Sequence, residues 1–140
     1  QGIDGIAFDG NGNLYAGHFF SGTITKFEFS TDRLVKSKNV IFDSEKLNCA
    51  DGMFYDSERN SIFIANLSNN SVHELDLNNN TVNLIWVNNN NNGADGLLDN
   101  PCETIIYQGD LIVVNFDTFK GEKNLEVDSY NTISKFIIND

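Results

Sequence analysis

Three oxygen-bearing residues recur at nearly equal spacing along the chain. Asp4 and Asp51 are 47 residues apart, and Asn100 follows after another 49. Carboxylate and amide oxygens are the ligands that hard cations such as Ca²⁺ prefer, and Ca²⁺ tolerates irregular geometry. A divalent cation, Ca²⁺ or Zn²⁺, held by these three residues would polarise a carbonyl group and activate a bound water for attack. The spacing is therefore compatible with a metal site formed by Asp4, Asp51 and Asn100.

A second interpretation of the same three residues is purely structural. Asp and Asn side chains often accept hydrogen bonds from the backbone of the turn that leads into a strand. Each of the three residues opens a short, largely apolar segment, as a turn-capping residue would. The residues alone leave both interpretations open.

Polar residues also end the second apolar segment of each repeat, at His18, Asn66 and Asn115. We expect these three side chains to line a substrate pocket beside the metal ligands. His18 has the chemistry of a general base, or of a group that binds a substrate hydroxyl. The neighbouring Phe19 and Phe20 also allow His18 to be part of a packed wall.

Two further polar features are predicted to be structural. His73 lies in an alternating apolar–polar segment, which predicts a surface position. Residues 9–13 resemble the start of an EF-hand loop, but Leu14 stands where that loop needs glycine and Phe20 where it needs glutamate. A hairpin turn is the better prediction for this segment.

The chain must position these residues through a repeat of apolar segments. The first two segments of each repeat are almost continuously apolar, which is typical of strands covered on both faces. The third alternates apolar and polar residues, and the fourth is present in only two repeats. The first segments are residues 4–9, 51–56 and 100–105, and the second are 14–18, 62–66 and 111–115. The third segments are 23–29, 71–77 and 132–138, and the fourth are 39–42 and 82–87.

Four-stranded units of about 45–50 residues are typical of β-propeller blades. The sequence predicts an all-β chain of three blades, residues 1–47, 48–96 and 97–140, the last lacking its outer strand. Because the first strand of a blade leaves the channel mouth and the second returns to it, Asp4, Asp51 and Asn100 should lie on one rim with His18, Asn66 and Asn115. Residues 116–130 should form a long loop over that rim.

The segment Asp51-Gly52-Met53, with residues 61–65 and 72–76, resembles the senescence marker protein (regucalcin)/gluconolactonase family of six-bladed propellers. Paraoxonase-like and NHL-repeat propellers are similar in a broader sense. The resemblance implies a divalent metal at the channel mouth, held by a Glu and by Asn or Asp residues from different blades. It also implies hydrolysis of a small-molecule lactone or ester, with an Asp as metal ligand and proton acceptor. Asp51 matches that Asp, and Asp4 falls where the family usually has an Asn.

Composition limits the partners that the chain can have. It carries 9 basic and 20 acidic residues, for a net charge of −11. Such a charge repels nucleic acids and anionic membranes but attracts cations. No apolar run approaches the roughly 18 residues of a membrane span, so a soluble chain is expected, with an extracellular or periplasmic location compatible. Cys49 and Cys102 are expected to be free thiols, with a disulfide as the alternative.

Three blades do not close a ring. We expect either the remaining blades of a longer chain or a second copy of this chain to complete a six-bladed propeller. Two functions remain open at this point. One is a metal-dependent lactonase or esterase with Asp51 and His18 as catalytic residues, and the other is a non-catalytic propeller that binds a ligand or protein.

Overall fold

The computed structural model describes residues 2–88, 97–116 and 132–138. Within these residues the chain forms strands and two short 3₁₀ helices, and no α-helix. The strands are β1 (Ile3–Phe8), β2 (Leu14–His18), β3 (Thr23–Phe29), β4 (Val35–Asp43), β5 (Ala50–Asp56), β6 (Ser61–Asn66), β7 (Ser71–Asp76), β8 (Thr81–Val87), β9 (Pro101–Tyr107), β10 (Asp110–Asn115) and β11 (Ile133–Ile137). The helices are η1 (Glu45–Leu47) and η2 (Leu67–Asn69).

The strands form three separate antiparallel sheets, each of which follows the chain order. β1–β4 form the first sheet and β5–β8 the second, while β9–β11 form a three-stranded third. The prediction of an all-β chain built from propeller blades is confirmed. The sheets lie inside the ranges 1–47, 48–96 and 97–140 that the repeat predicts for blades 1, 2 and 3. No helix of the described residues is long and apolar enough to span a membrane.

Apolar side chains fill the two spaces between neighbouring blades. Between blades 1 and 2 the core includes Tyr15, Ile24, Met53, Ile62 and Leu75. Between blades 2 and 3 a second core contains Phe63, Val72, Leu111, Val113 and Phe136. Because β6 contributes alternate residues to both cores, all six of its residues are buried. This explains why its sequence is almost continuously apolar.

The turn between β1 and β2 is the predicted hairpin turn. Asp9 Oδ1 accepts hydrogen bonds from the backbone N–H groups of Asn11 and Asn13, each at 2.9 Å. The Asp9 side chain thus caps its own turn, and the prediction of a hairpin turn at residues 9–13 is confirmed.

The prediction of a surface position for His73 is wrong. Its side chain is only 6% exposed. His73 lies on β7 on the same face as Leu75, which packs into the core between blades 1 and 2. The alternating pattern suggested a strand with one wet face, but β7 has β8 at its outer edge and a neighbouring blade over each face.

The strand register corrects the alignment of the third repeat. At the channel mouth, β1 pairs Ile3 with His18, β5 pairs Ala50 with Asn66, and β9 pairs Pro101 with Asn115. The residues that follow these three, and hence occupy equivalent positions, are Asp4, Asp51 and Cys102. Asn100 lies two residues before that position. The prediction that Asn100 is in register with the two aspartates is therefore wrong.

The inner strands of neighbouring blades approach closely at Gly5 and Gly52, the residues after the two aspartates. A Cβ atom at Gly5 would collide with the carbonyl oxygen of Asp51 in the next blade. A Cβ atom at Gly52 would lie 2.5 Å from the Cys102 carbonyl oxygen and 2.6 Å from Glu103 Cα. Only glycine permits this approach of one backbone to the next.

Gly52→Ala should destabilise the protein by about 1 to 3 kcal/mol, because the added methyl group forces the inner strands of blades 2 and 3 apart. Urea unfolding followed by circular dichroism would measure the loss. Gly2→Ala is the matched control, since a Cβ atom at Gly2 meets nothing within 4 Å. Equal stability of the two variants would contradict the close packing of these strands.

Candidate functional site

An open pocket of about 460 Å³ lies where the inner strands of the three blades begin. It is lined by residues from two repeated positions, plus Glu103. The first position is the one after the start of each inner strand, and the second is the one after the end of each second strand. The lining residues are Asp4, Asp51 and Cys102; Phe19, Leu67 and Phe116; and Glu103. We call this the mouth pocket.

One backbone hydrogen bond per blade fixes the apolar residues of the mouth pocket. The N–H groups of Phe19, Leu67 and Phe116 donate to the carbonyl oxygens that precede each inner strand, at 2.9, 3.0 and 3.0 Å. These bonds hold an apolar side chain beside each polar position. The repeat thus builds a ring in which carboxylate or thiol groups stand next to an apolar wall.

Asp51 is the most perturbed carboxyl group of this pocket. Its side chain is half-buried, and this burial is the main reason that its pKa rises to about 6. The negative charges of Asp4 and Glu103 raise the pKa further, because each opposes ionisation of a third carboxylate nearby. The mouth pocket therefore combines a negative potential with a carboxyl group that exchanges its proton near neutral pH.

Glu103 is a site residue that the sequence analysis missed. It occupies the blade 3 position that glycine holds in blades 1 and 2, and its Oε1 accepts a hydrogen bond of 2.9 Å from the Thr104 N–H. The signal that could have found it is the short turn of blade 3: two residues separate β9 from β10, against five and four in blades 1 and 2, so the aspartate position falls on Cys102 and the glycine position on Glu103.

Cys102 is the third-blade equivalent of the two aspartates. It is free, as is Cys49, which confirms the predicted free thiols. Burial is the main reason that the pKa of the Cys102 thiol is raised, and the charges of Asp51 and Glu103 add to the effect. The thiol is thus kept in its neutral form.

The structure does not bring Asn100 to the two aspartates. Its side chain is 3% exposed, and its Nδ2 donates to the carbonyl oxygen of Leu67 at 3.3 Å. Its backbone N–H donates to Asn70 Oδ1 at 2.7 Å. Asn100 thus connects blade 3 to the turn after β6, which corresponds to the structural interpretation of this residue. The expected ligand set of Asp4, Asp51 and Asn100 is reduced to the two aspartates.

Asn66 and Asn115 do not line the mouth pocket either. Both are fully buried and hold the segment that enters their blade. Asn66 Oδ1 accepts from the Cys49 N–H, and Asn115 Oδ1 from the Asp99 N–H, both at 3.1 Å. Asn66 Nδ2 donates to Ser71 Oγ at 3.0 Å, and Asn115 Nδ2 makes equivalent bonds in blade 3. Their amide groups are used within the blade.

His18 occupies the position in blade 1 that Asn66 and Asn115 occupy in theirs. Its Nε2 lies 3.1 Å from Thr25 Oγ1. The bond matches the one from Asn115 to Ser134 in blade 3, because Thr25 and Ser134 are equivalent in the register. His18 is half-buried and is not among the residues that line the mouth pocket.

The mouth pocket by itself is not a complete metal centre. Among residues 2–88, 97–116 and 132–138, no group of three or more His, Cys, Asp or Glu side chains is arranged to hold a metal ion. Apart from Phe116, the predicted loop 116–130 lies outside the described residues. A cation at Asp4 and Asp51 would need further ligands.

Solved structures similar to this chain are β-propellers. A luciferin-regenerating enzyme matches with a TM-score of 0.68 and 12% identity, over 95% of this chain and 44% of its own. A streptogramin B lyase matches with a TM-score of 0.53 and 14% identity, over 99% of this chain and 41% of its own. At these identities the likeness shows the fold alone.

The chain spans less than half the length of either similar structure. No sequence family matches the chain, and no curated protein matches it. The family resemblance seen in the sequence is thus supported at the level of the propeller fold.

Asp4→Asn should lower the pKa of Asp51 from about 6, because it removes one of the two negative charges that oppose ionisation. Carboxyl ¹³C NMR titration of Asp51 would measure the change. Asp32→Asn, in the turn at the opposite end of blade 1, removes the same charge at a distance and should leave the pKa of Asp51 unchanged. Equal effects of the two variants would show that Asp4 does not act on Asp51 directly.

Asp51→Asn should stabilise the protein above neutral pH. Because folding raises the pKa of Asp51, ionisation disfavours the folded state, and the resulting stability is lost as pH rises from 3.8 to about 6. Asparagine avoids this loss, so the variant should be more stable than the wild type by about 1 to 3 kcal/mol at pH 7.5, and equal to it below pH 4. Urea unfolding across this range tests the sign, and a variant less stable at pH 7.5 would contradict it.

Proposed function

We propose that the mouth pocket is the site of a propeller enzyme that hydrolyses a small lactone or ester with the help of a divalent cation. The observation that carries the proposal is the half-buried Asp51 carboxyl group, placed beside Asp4 and Glu103 in a pocket with an apolar wall. Carboxyl groups with a pKa near neutrality, in pockets, are frequent in catalytic sites.

Asp51 is assigned the role of proton acceptor. Beside a bound cation its carboxyl group would be ionised, and as a carboxylate it would take the proton of the attacking water. When bound, a cation such as Ca²⁺ or Zn²⁺ would polarise the carbonyl group of the substrate. The three apolar residues Phe19, Leu67 and Phe116 would contact the apolar part of the substrate and limit the access of water.

The chemistry of the pocket fits a cation. Asp4 and Glu103 oppose the ionisation of Asp51, a positive charge would relieve this opposition, and oxygen ligands suit Ca²⁺. Asp4 and Asp51 would hold the cation, with Glu103 as the third carboxylate of the same pocket. The family resemblance also implies an Asp ligand of this kind, and it implies additional ligands from other blades.

Further blades would complete the proposed site. Blade 1 leaves Ile6 and Phe8 exposed on the face opposite blade 2, and blade 3 leaves Ile105, Tyr107 and Ile133 exposed on the face opposite blade 2. According to the strand register, the equivalent faces of the other blades are the ones buried in the cores between blades 1 and 2 and between blades 2 and 3. The occupants would be the remaining blades of a longer chain or a second copy of this one.

The alternative is a non-catalytic propeller that binds a ligand or protein at the same mouth. It is supported by the structural roles of Asn66, Asn100 and Asn115, which leave few polar groups free to act on a substrate. The names of the two similar structures favour an enzyme, since each describes a catalyst.

The proposal is tested by titrating the protein with CaCl₂ and with ZnCl₂ while its melting temperature is measured. A bound cation stabilises the folded state in proportion to the logarithm of its concentration. The rise in melting temperature should be lost in Asp51→Asn and kept in Asp32→Asn, the variant with the same charge change far from the mouth. Hydrolysis of γ- and δ-lactones, measured by the release of acid, should require the same cation.

A melting temperature that does not respond to either cation would contradict the metal-dependent enzyme. It would favour the binding module. A response that Asp51→Asn leaves unchanged would place the cation elsewhere in the protein.

A further inference from the structure

A second cavity, of about 360 Å³, lies between blades 1 and 2 at their outer strands. It shares no lining residue with the mouth pocket. One part of its wall is apolar and another is polar. The residues on which the argument depends are Phe42, Val82 and Leu84 in the apolar part, and Lys46, Ser71 and His73 in the polar part. We call this the outer cavity.

Hydrogen bonds engage one ring nitrogen of His73 in the outer cavity. Asn66 Nδ2 donates to Ser71 Oγ at 3.0 Å, and the Ser71 hydroxyl group is placed to donate its hydrogen to His73 Nε2, 3.1 Å away. Burial, followed by the positive charge of Lys46, lowers the pKa of His73 to about 4, so that the ring is neutral at pH 7. With Nε2 accepting, Nδ1 carries the proton and is the remaining donor of a ring that is 94% buried.

Lys46 supplies a positive charge at the same polar part of the wall. The ion pairs among the described residues are formed by Lys26, Arg59 and Lys135, and none of them includes Lys46. In a chain of net charge −11, a lysine with no carboxylate partner in the described part of the structure is available to an anionic ligand. The polar part of the wall thus presents the positive charge of Lys46 and the neutral N–H donor of His73.

The repeat shows that the fold does not need either side chain. In the register, the blade 3 residue equivalent to His73 is Ser134. The residue equivalent to Lys46 is Leu97, because Asn66 and Asn115 donate to the carbonyl oxygens of Lys46 and Leu97 in the same way. Blades 2 and 3 therefore pack with a small hydroxyl and an apolar residue at the two positions. The Lys46 ammonium group and the His73 imidazole are therefore present between blades 1 and 2 and absent at the equivalent positions between blades 2 and 3.

We propose that the outer cavity binds a small monocarboxylate with an apolar body. The carboxylate would accept hydrogen bonds from Lys46 Nζ and His73 Nδ1, since charge-assisted bonds of this type are among the strongest in proteins. The apolar body would lie against Phe42, Val82 and Leu84. A volume of about 360 Å³ lies within the range of small-molecule sites, which combine an apolar wall with a few polar groups.

Hexanoate is a suitable probe, because it pairs one carboxylate with a short apolar chain. Titration of the protein with hexanoate at millimolar concentrations should shift the ring resonances of His73 in a saturable way, as measured by NMR. Hexanamide, which has the same shape without the charge, should bind at least about tenfold more weakly. The same weakening is expected in Lys46→Leu and in His73→Ser, which carry the residues that blade 3 has at these positions.

Two controls separate this site from other effects. Lys36→Leu removes a positive charge at the far end of β4 and should leave hexanoate binding unchanged. Asp51→Asn alters the mouth pocket alone and should also leave it unchanged, so the outer cavity can be tested whether or not the proposed hydrolase is correct.

The proposal fails if hexanoate produces no saturable shift at His73. It also fails if hexanamide binds as tightly as hexanoate, or if Lys46→Leu binds hexanoate as the wild type does. Lys46 is exposed on the surface, so its variant is expected to fold and gives a result even if His73→Ser does not.

Discussion

The contact between the backbones of neighbouring inner strands is the constraint on which the rest of the structure depends. Gly5 lies against the Asp51 carbonyl group, and Gly52 lies against the backbone at Cys102 and Glu103. Because neither glycine has a side chain, the three inner strands converge at one mouth. The residue before each glycine is an aspartate, and the convergence brings the two carboxylates into one pocket. In each Asp-Gly pair, the glycine thus allows the inner strands to approach and the aspartate places a carboxylate in the pocket.

This convergence has an electrostatic cost that the fold does not relieve within the described residues. Asp51 is half-buried next to two other carboxylates, and its raised pKa is the measure of that cost. Groups held in such an unfavourable state are frequent at functional sites, because the same environment that opposes ionisation prepares the group for proton transfer or for a cation.

The three asparagines of the predicted site have a different role. Asn66 and Asn115 hold the segments that enter blades 2 and 3, and Asn100 connects blade 3 to the turn after β6. The backbone groups of these buried segments need hydrogen-bond partners, and the side chains supply them. Amides suit this task because each has both donors and an acceptor. His18 makes the equivalent bond in blade 1.

Three side chains differ from the residue type at the equivalent position of another blade. Glu103 replaces a glycine and adds a third carboxylate to the mouth, while Lys46 and His73 replace residues that blade 3 keeps apolar or small. Blade 3 has a leucine and a serine at the positions of Lys46 and His73, so the blade does not require a lysine or a histidine there. Each departure coincides with a cavity, at the mouth and between the outer strands of blades 1 and 2.

The sequence alone determined the fold, because strand periodicity and a repeat of nearly fifty residues are local properties that survive without coordinates. It also identified Asp4 and Asp51, since their Asp-Gly pairs recur in phase with the strands. The tertiary structure decided the third blade, where the turn between β9 and β10 has two residues, against five and four in blades 1 and 2, so that Cys102 stands in the ring instead of Asn100. It also decided which polar residues face a cavity, like His73, and which, like Asn66 and Asn115, are enclosed within their blade. A pattern along one strand cannot show what the neighbouring blade covers, and burial and the pKa of Asp51 depend on that neighbour.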